Sequence, residues 1–144
     1  MDEAKKILVV DDEEILLELL TTKIKREGFV VVEAHDGEEG LRLALAEHPD
    51  LILMDIIMPK MDGITAMKKL REDPWGKGVP VIILTNLNTA ESVQDSVTNG
   101  AYDYLVKIDY TLDDLVVIVK KRLEEKESGI ITPLSKKPEP PVNL

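Results

Sequence analysis

Leu51-Ile52-Leu53-Met54-Asp55-Ile56-Ile57-Met58-Pro59 reads as a strand that carries a carboxylate out of a core. Its first four residues do not alternate with polar ones, so they fit a strand covered on both faces, as in a parallel sheet. A carboxylate at the end of such a run is costly to desolvate unless partners await it. The same figure recurs along the chain. Asp11 and Asp12 end Ile7-Leu8-Val9-Val10, Thr85 ends Val81-Ile82-Ile83-Leu84, and Lys107 ends Tyr104-Leu105-Val106. Four apolar strands each deliver a polar group at the carboxyl end.

Strands are predicted over Lys5–Val10, Phe29–Ala34, Asp50–Met54, Val79–Leu84 and Ala101–Val106 from short apolar runs rich in Val and Ile. Helical spacing lies between them. In 13–27 it is carried by Ile15, Leu16, Leu19, Leu20 and Ile24. In 37–47 it is carried by Leu41, Ala44 and Leu45, and in 111–126 by Leu112, Leu115, Val116, Val119 and Leu123. Weaker helices are expected over 63–72 and 88–98, where Thr89, Ser92 and Thr98 lower the propensity of the second. Asp36 with Glu39, and Thr111 with Asp114, have capping-box spacing. Gly28 and Gly100 stand where helices should end. Five repeats of strand then helix give an α/β doubly wound domain.

The 144 residues suffice for one domain with its own core. Aromatics make up 3% of the chain, so that core should be aliphatic. Asp and Glu number 28 against 18 Lys and Arg, a formal charge of -10. This balance disfavours direct nucleic-acid binding and an anionic membrane surface, both of which want a basic footprint. Without cysteine, no disulfide, thiolate nucleophile or Cys metal site is possible, which fits a cytoplasmic protein. The first apolar run is too short for a signal-peptide core, and no stretch has the length to span a bilayer. After residue 127 the composition changes. Pro133, Pro138, Pro140 and Pro141, half of the eight prolines, gather there with Lys136, Lys137 and Glu139. Residues 1–127 are therefore expected to form the domain and 128–144 a proline-rich disordered tail, with no second domain following.

Ligands of open parallel α/β sheets bind beyond the carboxyl ends of the strands. Asp11, Asp12, Asp55, Thr85 and Lys107 should converge there. Crowded carboxylates repel, and a divalent cation removes the conflict. Mg²⁺ suits the site because it accepts one or two carboxylates and leaves positions for water or phosphate oxygens. A carboxylate can also attack phosphorus to give an aspartyl phosphate. The charge on the transferring group would then be met by Mg²⁺, the Lys107 ammonium and the Thr85 hydroxyl.

With these residues in order, the chain resembles a receiver domain of the bacterial response-regulator family over roughly residues 4–126. The resemblance rests on Val9-Val10-Asp11-Asp12-Glu13, on Asp55-Ile56-Ile57-Met58-Pro59-Lys60-Met61-Asp62-Gly63, on Leu84-Thr85, and on Val106-Lys107 with Tyr104 three residues before the lysine. It implies a flavodoxin-like five-stranded parallel sheet, (βα)5, of order 2-1-3-4-5. It implies that Asp55 is the phosphoacceptor. Asp12, Asp55 and the Ile57 carbonyl would ligate Mg²⁺, with Asp11 acting largely through water. Lys107 would pair with the phosphoryl group, while Thr85 and Tyr104 would form a switch. A sensor histidine kinase or histidine phosphotransfer protein would be the donor, and a downstream protein the target. The role expected is that of a signalling switch, as in stand-alone chemotaxis-type or phosphorelay-type regulators, and not of an enzyme.

Departures from the family pattern are local. Ile108 follows the lysine where proline is frequent, and Asn86 follows the threonine where a small residue is usual. Ile57 and Leu87 lie two residues beyond Asp55 and Thr85, positions that in the family border the path of the attacking water. Two apolar residues orient water poorly, so a long-lived aspartyl phosphate is expected.

Read singly, these residues are unremarkable. Acidic residues favour the first turn of a helix, and a lone lysine is most often solvated. His35 and His48 have no partner at ligand spacing and should lie at the surface. Trp75, in the turn-like Asp73-Pro74-Trp75-Gly76, should pack as a lid on the face opposite the pocket. Met58 and Met61 should fill gaps. Val117 and Ile118 are either core or, with Tyr104 and Val93, part of a partner-binding face.

Two other function classes compete. A Mg²⁺-dependent phosphohydrolase of the haloacid-dehalogenase type needs an acid two residues after its Asp nucleophile; Asp55 is followed there by Ile57. A flavodoxin-like flavin binder needs a hydroxyl- and glycine-rich loop after the first strand. Here that loop is Asp11-Asp12-Glu13-Glu14, which repels phosphate without a cation.

Overall fold

A computed structural model describes residues 3–128 of the chain. Strands β1 (Lys6–Val10), β2 (Val30–Ala34), β3 (Leu51–Met54), β4 (Val81–Thr85) and β5 (Asp103–Val106) alternate with helices α1 (Glu14–Arg26), α2 (Gly37–Glu47), α3 (Gly63–Glu72), α4 (Ala90–Thr98) and α5 (Leu112–Ser128). The strands form one parallel sheet of order β2-β1-β3-β4-β5, as the resemblance implied. The expected tail over 128–144 lies outside the described residues except for Ser128, which ends α5.

Successive side chains of a strand point to opposite faces, and here both faces are covered. Leu8, Val10, Ile52, Met54, Val81 and Ile83 pack into one aliphatic cluster with Ala66, Met67 and Leu70 of α3. Ile7, Val9, Leu51, Leu53, Ile82 and Leu84 pack into the other, with Leu17, Leu20 and Ile24 of α1 and Leu115, Val119 and Leu123 of α5. β3 and β4 are buried along their whole length.

The expected helix signals are met with one change. Asp114 N–H donates to Thr111 Oγ1 at 3.1 Å, and Thr111 N–H donates to Asp114 at 2.8 Å, a reciprocal capping box. Asp36 accepts from Glu39 N–H at 2.8 Å, but the Glu39 carboxylate accepts from His35 N–H, one residue outside the box. Gly28 and Gly100 take the left-handed conformation after α1 and α4, with φ of 95° and 79°.

Several expectations need correction. β4 runs Val81–Thr85 rather than Val79–Leu84, with Thr85 as its last residue. A single 3₁₀ turn, Lys107–Asp109, separates β5 from α5. On α1, Ile15 is 78% exposed and Leu19 50% exposed, while Leu17 takes the buried position. Helix 1 is apolar over more of its circumference than the sheet can cover. On α5, Val117 is exposed while Ile118 packs on the core. Tyr104 and Val93 are half-buried, and Tyr104 packs against the first cluster.

The remaining aromatic and methionine expectations hold. Trp75, half-buried in the loop after α3, stacks on His48 with ring centroids 4.2 Å apart. His48 and His35 are at the surface. Met58 and Met61 pack against the first cluster.

Candidate functional site

Each polar residue predicted at a strand end lies where the sheet stops. Register carries them there together. Val10 pairs with Met54, so Asp11 and Asp55 leave neighbouring strands side by side, and Thr85 pairs with Val106, next to Lys107. Asp11 N–H continues the β1–β2 ladder to the Ala34 carbonyl at 3.1 Å, and Asp55 N–H reaches the Val10 carbonyl at 3.0 Å. Backbone pairing thus holds both carboxylates rigidly at the mouth of the sheet.

Lys107 binds them together. Its Nζ lies 2.8 Å from Asp11 Oδ2 and 2.8 Å from Asp55 Oδ2, with Glu13 farther out at 3.5 Å. Asp55 Oδ1 accepts from Ile56 N–H at 2.7 Å and from Ile57 N–H at 3.3 Å. Asp11 Oδ1 accepts from Glu13 N–H at 2.9 Å. Burial raises the Asp11 carboxyl above its ordinary range, against the lowering by Lys107 and the Glu13 N–H. Burial opposes the charge on Lys107, but its bonds to Asp11 and Asp55 outweigh that and hold the ammonium well above the ordinary lysine range. Lys107 is therefore a fixed positive charge between two buried carboxylates.

Asp11, Asp12 and Asp55 each offer a carboxylate oxygen within 4.8 Å of the others, with Asp12 exposed and the other two buried. An all-oxygen donor set with one exposed side fits a hard, partly hydrated cation such as Mg²⁺. Ile57 follows in the exposed loop, 58% accessible.

Thr85 is fully buried, and its Oγ1 accepts from Leu87 N–H at 3.3 Å. The Leu87 carbonyl in turn accepts from the Tyr104 hydroxyl. One residue thus contacts both members of the expected switch. Burial raises the Tyr104 phenol above its ordinary value, so it is a neutral donor.

Sequence reasoning missed Glu13, Gly63 and Ser92. Glu13 was quoted in the acidic run and in the stretch that carries the resemblance, without a role of its own. Gly63 was quoted without a role, yet a Cβ there would lie 2.1 Å from the Asp55 carbonyl oxygen. Ser92 was seen only as a weak helix former, and it lies 3.0 Å from the Tyr104 hydroxyl.

Residues 7–120 match the family described as the response regulator receiver domain. The chain belongs to that family. Among curated relatives, the receiver is 38% identical over 124 residues to the regulatory protein AtoC of Escherichia coli, covering 86% of this chain and 26% of AtoC. It is 43% identical over 103 residues to the alkaline phosphatase synthesis transcriptional regulatory protein PhoP of Bacillus subtilis, covering 72% of this chain and 42% of PhoP. It therefore spans about a quarter to under half of the length of these relatives. Among solved structures, it resembles a CheY-like receiver domain protein from Methanospirillum hungatei, with 30% identity, a TM-score of 0.83, and coverage of 88% of this chain and 99% of that one. A Francisella response regulator receiver domain is similar at 33% identity and a TM-score of 0.77, covering 85% of this chain and 98% of that one. Among the described residues, no helix is long and apolar enough to cross a membrane.

Proposed function

We propose that Asp55 accepts a phosphoryl group from a sensor histidine kinase or histidine phosphotransfer protein in a Mg²⁺-dependent step. The product switches a protein-binding surface through Thr85 and Tyr104. The carrying observation is the Lys107 ammonium, 2.8 Å from both Asp55 and Asp11, with the oxygens of three carboxylates close together. A cytoplasmic signalling module fits this chemistry better than an enzyme with turnover on an external substrate. No acid stands two residues after Asp55, where a phosphohydrolase would need one.

In the transfer, an Asp55 carboxylate oxygen forms the bond to phosphorus. The donor's P–N bond breaks, and its electron pair stays on the imidazole nitrogen. Asp12, Asp55 and the Ile57 carbonyl would hold Mg²⁺, with Asp11 alongside; once bound, the cation neutralises charge on the phosphoryl oxygens. Lys107 exchanges its bond to Asp55 for one to a phosphoryl oxygen. Thr85 leaves the Leu87 N–H and donates its hydroxyl proton to another. Because Leu87 contacts Tyr104 as well, the change at Thr85 is passed to the tyrosine.

The apolar surface of α1 supports a protein donor. Exposed Ile15 and Leu19 line one shallow depression, and exposed Ile108 lines another beside Lys107. The two share Glu13 and Leu16, so apolar surface is continuous up to the site. A contiguous apolar patch of this kind is characteristic of a contact surface.

Intact-protein mass after incubation with a small phosphodonor and Mg²⁺ tests the assignment. One phosphoryl addition is expected in the wild type, and none in Asp55→Ala or without Mg²⁺. Addition that persists in Asp55→Ala would overturn it.

The lifetime of the label is a second expectation. Ile57 is exposed and Leu87 half-buried, and neither can hydrogen-bond an attacking water through its side chain. An Ile57→Asn, Leu87→Glu variant should lose the label about a hundredfold faster, the lower end of what a positioned acid or base group contributes. Equal decay would show that these positions do not control hydrolysis here.

A further inference from the structure

Tyr104, Ser92, Thr89 and Leu87 form a hydrogen-bonded chain. The Leu87 carbonyl can only accept, so the single Tyr104 hydroxyl proton is committed to it. Ser92 Oγ lies 3.0 Å from the Tyr104 oxygen, and this contact is a hydrogen bond only when Ser92 donates. Ser92 has one proton to give. Thr89 Oγ1, 2.7 Å from Ser92 Oγ, must then donate in turn, while it accepts from Ser92 N–H at 3.1 Å. A second acceptor, the Thr89 carbonyl at 3.1 Å, takes the Val93 N–H on one of its two lone pairs, so it competes with the Tyr104 oxygen for the Ser92 proton. When Ser92 donates to Tyr104, the order is Thr89 to Ser92 to Tyr104 to the Leu87 carbonyl.

We propose that Ser92 is a positioning residue of the switch, whose donated hydrogen bond holds the Tyr104 ring inward before any phosphoryl group arrives. This rests on the proposed roles of Thr85 and Tyr104. Thr89 caps α4 and bonds Ser92, so hydrogen bonds link the start of α4 to the tyrosine. Ser92 is buried, which keeps water from replacing its hydroxyl. The receiver thus rests with its tyrosine part-way to the switched arrangement, which phosphorylation completes through Thr85.

The full chain labelled with 3-fluorotyrosine tests this by ¹⁹F NMR, without phosphodonor or Mg²⁺, the Tyr104 resonance being assigned by its loss in Tyr104→Phe. Ser92→Ala is expected to shift Tyr104 toward an exposed ring, lowering the inward-to-outward ratio about fivefold, the effect of one hydrogen bond of ordinary net strength. Ser96→Ala, which removes another buried α4 hydroxyl, one bonded to the Ser92 carbonyl, should leave the resonance in place. No shift in Ser92→Ala, or equal shifts in both variants, overturns the proposal. A double-mutant cycle gives an independent check on stability. Ser92→Ala should perturb the unfolding equilibrium about fivefold less in a Tyr104→Phe background, again one hydrogen bond's worth; additive effects would also overturn the proposal. Beryllofluoride with Mg²⁺, added to the wild type, reports separately on the phosphoacceptor site, because the relay is read in the unliganded protein.

Discussion

Gly63→Ala is expected to cut Asp55-dependent phosphoryl uptake by about a hundredfold or more, the effect of a reacting group displaced by roughly 1 Å. The cause is steric. A Cβ at position 63 would lie 2.1 Å from the Asp55 carbonyl oxygen and 3.0 Å from the Asp55 carbonyl carbon. Both are backbone atoms of the phosphoacceptor itself, and they cannot swing aside as a side chain would. Gly63 N–H also donates to the Ile56 carbonyl at 2.8 Å, tying the start of α3 to the segment just after Asp55. The added methyl must push this segment outward and carry the carboxylate away from Lys107. Stability should fall as well, by about 3 kcal/mol, at the upper side of ordinary overpacking. Intact-mass kinetics with a small phosphodonor give the first effect and urea unfolding the second. Wild-type uptake in Gly63→Ala would mean that the loop absorbs the methyl without moving Asp55.

Arg122→Met should destabilise the receiver by about 3–5 kcal/mol, the penalty for breaking a buried ion pair from one side. Arg122 on α5 and Asp103 at the start of β5 are both fully buried. Their two hydrogen bonds, Nε to Oδ2 at 2.7 Å and Nη2 to Oδ1 at 2.9 Å, form a parallel fork. The substitution takes these two bonds from a buried carboxylate, and with them the Arg122 Nη1 bond to Glu125 at 2.7 Å. Replacing both partners is a different case: Asp103→Leu with Arg122→Met should recover much of the loss, because well-packed apolar residues often match a buried pair. Urea unfolding of the two variants reads the effect. A loss below about 1 kcal/mol in the single variant, the range of an exposed pair, would show that the fork is solvated.

The sequence made much of the site legible because its residues are tied to strand ends. An apolar run must stop where the sheet stops, so Asp11, Asp55, Thr85 and Lys107 could be placed from local pattern, and sheet register then brought them together. The misplacements share a different cause. Val79 and Pro80 have the composition of a strand, but proline has no N–H to donate to a ladder, and β4 begins after it. Ile15 and Leu19 have helical spacing, but spacing fixes only the angle between side chains and not which angle faces the sheet. Arg122 was passed over on α5 because a charged residue reads as solvated until its partner is known.

Local pattern alone was enough for five strand–helix repeats and for the polar groups at the carboxyl ends of four strands. Short aliphatic runs that alternate with amphipathic helical stretches fit a doubly covered parallel sheet, where the backbone is paired and both side-chain faces are hidden. Packing alone decided which face of α1 stays open, that Arg122 is sealed against Asp103, and that a buried serine supports Tyr104. Each of those outcomes depends on atoms brought from distant positions. Burial and hydrogen bonding are properties of the pair that meets, and neither partner carries them in its own stretch of chain.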